Sequence, residues 1–250
     1  MHIIDFSKIK VSCEHCSLNE LCLPRGLDLE DMDKLDRIVT RTQPLHKGDV
    51  VFRAGDQFNS LYTVRTGCIK LTAGSDDGEE QILGFYLPGE IIGLDGIETS
   101  VHSCTAIALD TSSLCEISFN RLTDICNQVP ALNEQMFRLM GRELSHENQL
   151  LLTVTKKHAD ARVATFLFSL SVRFHRLGYS ATEFRLAMSR SEIGNYLGMT
   201  FETVSRCLNK FHKQGLININ HKYITILEHD LLRKVCSEPE HPARLSKSVS

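Results

Sequence analysis

The stretch VSCEHCSLNELCLP places three thiols, Cys13, Cys16 and Cys22, within ten residues. Clustered thiolates do one of two kinds of chemistry: they ligate metal, or a C-x-x-C pair exchanges electrons with a substrate. Three is one short of a tetrahedral site and an odd number for disulfides. A fourth ligand would come from Cys68, Cys104, Cys115, Cys126, Cys207 or Cys236. Four thiolates suit zinc and an iron–sulfur cluster equally, so spacing leaves the metal open. The opening MHIIDFSKIK has no apolar core and no small-residue cleavage site. It does not read as a secretory signal, and no apolar run approaches the roughly 20 residues of a bilayer span. Nine cysteines in such a chain point to a reducing compartment, the cytoplasm, where thiols bind metal more often than they bridge. A redox enzyme would alternate strand and helix and seat a thiol at a helix N-terminus, and the middle of the chain does neither.

A second kind of chemistry is written near the C-terminus. In SRSEIGNYLGMTFETVSRCLNKFHKQG, Ser189 can cap a helix whose apolar face carries Ile193, Tyr196 and Leu197. Gly198 permits a tight turn, and Thr200 can cap a second helix with Val204, Leu208 and Phe211 inward. Phe201, Glu202, Ser205, Arg206 and Asn209 are left for the outer face. Gly215 ends this helix, and two apolar strands, LININ and YITIL, follow with a turn at His221. Helix, turn, helix and hairpin make a winged helix-turn-helix, whose second helix enters the major groove of DNA. Arg206 can donate two bonds to a guanine edge, Glu202 can accept from a cytosine amino group, and Ser205 can reach a base or a phosphate. An acidic side chain facing a polyanion is costly unless it reads a donor.

Charge agrees with this division of labour. Residues 1–155 hold 13 Lys+Arg against 23 Asp+Glu, a balance of −10, whereas residues 156–236 hold 13 against 6, a balance of +7. The basic back half favours an anionic partner.

Both sets of residues need elements to position them. Between residues 29 and 129, apolar alternation in DVVFRAG, SLYTVRTGCIKLTAG, QILGFYLPGEIIG and SCTAIALDTSSLCEISF is punctuated by turn-formers, which predicts short strands in a sandwich or barrel. Alternation sets Cys115 on one face with Ile117 and Phe119. The tip at Asp76, Asp77, Glu79 and Glu80 is an acidic hairpin. After Pro130, apolar residues recur at Phe137, Met140, Leu144, Leu151 and Val154 in steps of 3, 4, 7 and 3, a heptad seam about 25 residues long. The step of seven skips Glu147, which falls on the seam. In a symmetric homodimer two such carboxylates would approach each other, so association is expected to be deliberately weak and switchable. The expected organisation is a cysteine-rich segment at 1–28, a β-roll at 29–129, a dimerisation helix at 130–158, a winged helix at 159–236 and a disordered tail at 237–250.

This α+β arrangement, a jelly-roll domain like those that bind cyclic nucleotides followed by a long helix and a winged helix, resembles the superfamily of the cyclic-AMP receptor protein and the fumarate and nitrate reduction regulator. The motifs that carry the resemblance are LYTVRTGCIKL, PGEIIGLDGI, SLCEIS, FRLMGREL and, most specifically, IGNYLGMTFETVSRCL. The C-x2-C-x5-C run narrows it to the oxygen-sensing branch. That resemblance implies a 4Fe–4S cluster on Cys13, Cys16, Cys22 and Cys115, converted by dioxygen to a 2Fe–2S form with release of the dimer. It implies a regulator, not an enzyme, that binds palindromic double-stranded DNA anaerobically. It also implies contact with RNA polymerase, for which Asp76, Asp77 and Glu79 are the candidates. The cyclic-AMP branch uses an arginine for the cyclic phosphate; here SVHSCTAIAL offers His102 and Ser103 instead. No cyclic nucleotide and no membrane are expected as partners. The alternative is a zinc-stapled or degenerate DNA-binding regulator that does not sense oxygen.

Overall fold

The computed structural model describes residues 12–74 and 80–237. The chain divides into two compact units, residues 1–144 and 145–250.

In the first unit a short helix, α1 (Leu29–Asp36), starts at Asp28, whose carboxylate caps it by accepting from the Asp31 amide. Eight strands follow: β1 (Val39–Arg41), β2 (Val50–Phe52), β3 (Ser60–Thr66), β4 (Ile69–Gly74), β5 (Glu80–Tyr86), β6 (Ile91–Ile92), β7 (Thr105–Ala108) and β8 (Ser113–Ser118). They form two antiparallel four-stranded sheets, β1-β8-β3-β6 and β2-β7-β4-β5. Phe52, Val64, Ile69, Tyr86, Ile92 and Leu114 form one apolar core. A second core joins Leu61, Ile91 and Ile117 of the first sheet to Leu23, Leu35, Leu122, Leu132 and Met136. α2 (Phe119–Cys126) and the N-terminal part of α3 (Pro130–Lys156) carry the last of these. The strand signal read over 29–129 therefore holds for its interior, while both edges are helical. Phe119 does not continue the Cys115–Ile117 face as alternation suggested, because the backbone turns at Ser118 and Phe119 opens α2.

The second unit contains α4 (Ala159–Arg176), β9 (Glu183–Arg185), α5 (Arg190–Leu197), α6 (Phe201–Lys213), β10 (Ile217–Asn220), β11 (Tyr223–Ile226) and α7 (His229–Ser237). Its sheet has three strands, β10-β11-β9, one more than the hairpin read from sequence. β9 joins through the pairs Tyr223–Arg185, Ile224–Phe184 and Thr225–Glu183. α5 begins with a full capping box: Ser189 accepts from the Glu192 amide and the Glu192 carboxylate accepts from the Ser189 amide. The turn after α5 requires glycine twice over. Gly198 sits at φ 64°, and a Cβ on Gly194 would come within 2.6 Å of the Met199 carbonyl oxygen. Thr200 then caps α6 through the Thr203 amide.

Candidate metal centre and nucleic-acid interface

Residues 12–27 hold no regular helix or strand; they advance by successive turns. The Cys16 amide donates to the Cys13 carbonyl at 3.2 Å and the Cys22 amide to that of Leu18 at 3.0 Å. Anchors from elsewhere in the unit hold this loop. The Cys13 amide donates to both Asp36 carboxylate oxygens, at 2.9 and 3.1 Å. Gln135 of α3, buried, donates from Nε2 to the Cys22 carbonyl at 3.0 Å. Leu18 and Leu23 are buried, and Leu21 lies over the turn at Gly89, where an added Cβ would meet its own at 3.1 Å. The loop thus owes its place to the β-roll and to α3.

These anchors bring Cys13, Cys16 and Cys22 to one pocket with Cys115 of β8, walled by Leu23, Leu35 and Ile117. The register explains the fourth thiol. Cys115 pairs with Arg41 on β1 and with Thr63 on β3, so all three project from the sheet face that also carries Ile117 and Leu61. Arg41 and Thr63 line the same pocket, as does Arg65.

The electrostatics suit a thiolate centre that needs a cation. Burial pushes the Cys13 thiol up; the Asp36 carboxylate and the neighbouring Cys22 and Cys115 push it further. Burial raises Cys22 to about 11, partly offset by the Leu23 amide and the Thr63 hydroxyl, with Cys115 and Cys16 adding repulsion. Cys115 is raised by burial too, against the pull of Arg41 and Arg65. Each of these thiols feels others of the set, so four thiolates could coexist here only around bound positive charge, which deprotonates them on binding. Two donors reinforce the fit: Arg41 Nε and Thr63 Oγ1 are buried and complete no hydrogen bond, though both side chains stand beside the thiols of Cys115 and Cys22. Among the described residues, no three His, Cys, Asp or Glu side chains converge as ligands of a single metal ion. Four thiols lining one pocket are the donor set of a thiolate-bound metal, zinc or iron–sulfur alike. The other cysteines lie elsewhere: Cys68, Cys104 and Cys207 are buried, and Cys126 and Cys236 are half-buried.

In the second unit α6 presents Glu202 and Arg206 on its exposed face, one turn apart. The Glu202 carboxyl is held below its usual range by its own amide and by Thr200, so in the free protein it folds back on the helix start. Arg206 reaches Thr203 Oγ1 at 3.5 Å. Ser205 differs from the expected outward position: it is half-buried, and its shielded Oγ has no partner in the chain. A residue that the motif did not reveal steadies the turn. Arg162 of α4 donates from Nε to the Lys157 carbonyl at 2.8 Å and from Nη1 to those of Leu197 at 3.1 Å and Gly198 at 3.4 Å. It satisfies the carbonyls left free where α5 ends.

Residues 42–129 match the cyclic nucleotide-binding domain family, and residues 161–235 match the Crp-like helix-turn-helix domain family. The chain is 51% identical over 216 residues to the transcriptional activator protein Anr of Pseudomonas aeruginosa, covering 86% of this chain and 88% of that one. It is 42% identical over 233 residues to the fumarate and nitrate reduction regulatory protein of Escherichia coli, covering 93% of each. The chain belongs to the fumarate and nitrate reduction regulator family. Among solved structures, FixK2 from Bradyrhizobium japonicum matches with a TM-score of 0.73 and 28% identity, over 79% of this chain and 97% of that one. Membership makes this chain a transcription regulator with a DNA-binding helix-turn-helix, not an enzyme, and confirms the β-roll, long helix and winged helix order. No helix among the described residues is long and apolar enough to cross a membrane.

Two further features of this family member bear on its ligands. On α3, Phe137, Leu144 and Leu151 are 66%, 60% and 59% exposed and Met140 is 39% exposed, with Glu147 exposed on the same stripe and Val154 half-buried. A single chain leaves this stripe uncovered. In the β-roll, Asp95 fills the neighbourhood of His102 and Ser103. Its Oδ2 accepts from the Ser103 amide at 2.8 Å, the Cys104 amide at 3.3 Å and Ser103 Oγ at 3.4 Å. Its Oδ1 faces Nδ1 of His102 at 3.4 Å, and that ring stacks on Phe52 at 3.8 Å. The acidic tip Asp76, Asp77 and Glu79 lies outside the described residues.

Proposed function

We propose that this regulator senses oxygen through a 4Fe–4S cluster on Cys13, Cys16, Cys22 and Cys115. With the cluster in place the chain forms a homodimer that binds palindromic DNA, and both are lost on oxidation. The observation that carries this reading is that these four thiols line one pocket, beside two buried donors with no formed hydrogen bond and with a tie to α3. Bound there, the cluster supplies an oxygen-labile tie between the loop and the β-roll. The chain's own residues do the rest. Leu18 and Leu23 exclude water from the loop. Gln135 passes the position of Cys22 to α3, whose stripe from Phe137 to Val154 pairs with its twin. A two-fold dimer sets two α6 helices about one DNA turn apart, which makes the operator palindromic. Glu202 and Arg206 read bases, and the acidic tip at Asp76, Asp77 and Glu79 meets RNA polymerase.

Cyclic nucleotides are not partners on this reading. The amides of Ser103 and Cys104, which could receive a phosphate, already serve the Asp95 carboxylate. A second phosphate-like anion beside it would be repelled.

Anaerobic purification followed by iron and sulfide analysis and sedimentation tests the proposal. About four irons per chain in a dimer, both lost on admitting air, is the expected result. One zinc per chain with an oligomeric state indifferent to air would replace oxygen sensing with a zinc-stapled regulator.

A further inference from the structure

Cys115 does not stand alone on its sheet face. The neighbouring strands set Arg41 on one side of it and Thr63 on the other, in one continuous row across β1, β8 and β3. Four buried side-chain polar atoms among the described residues have no hydrogen-bond partner, and two of them are Arg41 Nε and Thr63 Oγ1. Buried donors without a formed hydrogen bond cost free energy, and the groups these two already pull on are sulfurs: Thr63 on the Cys22 thiol and Arg41 on that of Cys115. Both line the pocket of the four cysteines, which offers sulfur as an acceptor. Arg65 lines it too and adds positive charge. Four thiolates around an iron–sulfur centre leave it net anionic, and donors with positive charge offset that where water is excluded.

We infer that Arg41 and Thr63 are the hydrogen-bond donors to the sulfurs of the centre held at Cys115, and that they set how firmly that centre is retained. The inference rests on the cluster reading above. Arg41 and Thr63 ligate no metal on this view; they are positioning residues that orient and neutralise the ligand shell, as outer-shell partners do in metal sites.

The test uses the full-length protein, reconstituted anaerobically with iron and sulfide. The variants are Thr63→Val, which keeps the shape and removes the hydroxyl, and Arg41→Lys, which keeps the charge and removes Nε. Measured are iron per chain, the visible absorption spectrum, the rate of iron loss to a chelator without oxygen, and the melting temperature of the cluster-free chain. Both variants should take up the wild-type amount of iron and lose it about tenfold faster, with a shifted absorption band. The cluster-free Thr63→Val chain should melt no lower than wild type, since its hydroxyl completes no hydrogen bond there. Wild-type retention in both variants, with wild-type iron, would overturn this inference and leave the cluster proposal standing. A wild-type chain that takes up no iron–sulfur centre would overturn both. If Thr63→Val melts lower without its cluster, the hydroxyl serves the fold and the inference fails for Thr63.

Discussion

The cysteine pocket and the winged helix are built on opposite terms. In the winged helix the chain answers its own needs: Ser189 and Glu192 close the start of α5, Thr200 closes the start of α6, and Arg162 takes the carbonyls at the end of α5. The cysteine loop has no such closure. It borrows Asp36 and Gln135 to hold its backbone, has the Cys13 and Cys22 thiols pushed up by burial, and stands beside buried donors that complete no hydrogen bond. Of the four buried unpartnered side-chain atoms among the described residues, those of Arg41, Thr63 and Gln135 belong to the first unit and only that of Ser205 lies on α6. A reader that is complete without its ligand can be preformed. On the proposed reading, a pocket that its bound centre completes responds to loss of that centre, which a preformed reader does not need.

The largest effect should follow from removing a ligand. Cys22→Ser should abolish iron uptake and anaerobic binding of operator DNA, read by iron analysis and fluorescence anisotropy, while Cys236→Ser changes neither. Iron uptake retained in Cys22→Ser would erase the contrast between the two regions. The next effect belongs to the winged helix. Arg162→Ala removes three bonds from a charged donor, each worth about 1.5–3 kcal/mol in a favourable setting. DNA affinity should fall by at least about tenfold, with no change in salt dependence, because Arg162 acts on the turn and not on phosphate. A reduced salt slope would make it a phosphate contact instead.

Glu202→Ala sharpens the same side. Its carboxyl now serves the start of α6, so two roles compete: reading a base and closing a helix. Base reading predicts about tenfold less discrimination against an altered operator with unchanged salt dependence. Uniform loss across sequences would assign Glu202 to the helix start alone.

The two regions also differed in how far they could be read from sequence. Caps, turn glycine and helical spacing of the winged helix lie within a few residues of one another, so Ser189, Gly198 and Thr200 announced the motif. β9 escaped because three residues carry almost no periodicity and its pairing with β11 is non-local. α7 and α1 escaped for a like reason: each is about two turns long, too short to show its period. In the sensor, the trio of cysteines was plain, and the resemblance supplied Cys115. Arg41, Thr63 and Gln135 were beyond reach, since only strand register and the course of α3 bring them to the thiols. Ser205 misled because a helical wheel assigns a face, not the depth of a hydroxyl.

Gln135 lies on the path from the sensor to the dimer seam, and a substitution there should separate loading from assembly. Gln135→Leu keeps most of the volume and removes one hydrogen bond to Cys22, about 1 kcal/mol. Iron per chain should stay at the wild-type value while the dimer weakens about fivefold by sedimentation. Loss of iron in step with the dimer would make Gln135 part of the loop's anchorage only.

Glu147 should give the smallest shift, with the opposite sign. It is exposed on the same stripe of α3 as Leu144 and Leu151, so in a symmetric pair its carboxylate meets its twin. Exposed charges interact weakly, by about 0.2–1 kcal/mol, because water screens them. Glu147→Ala should therefore tighten the cluster-free dimer by only about two- to fivefold, and added salt should narrow the gap between variant and wild type. A small repulsion is enough when the opposing equilibrium is nearly balanced, and a larger one would hold the chains apart even with the sensor loaded. Unchanged sedimentation would mean that Glu147 faces water, and the switch would then rest on the cysteine loop alone.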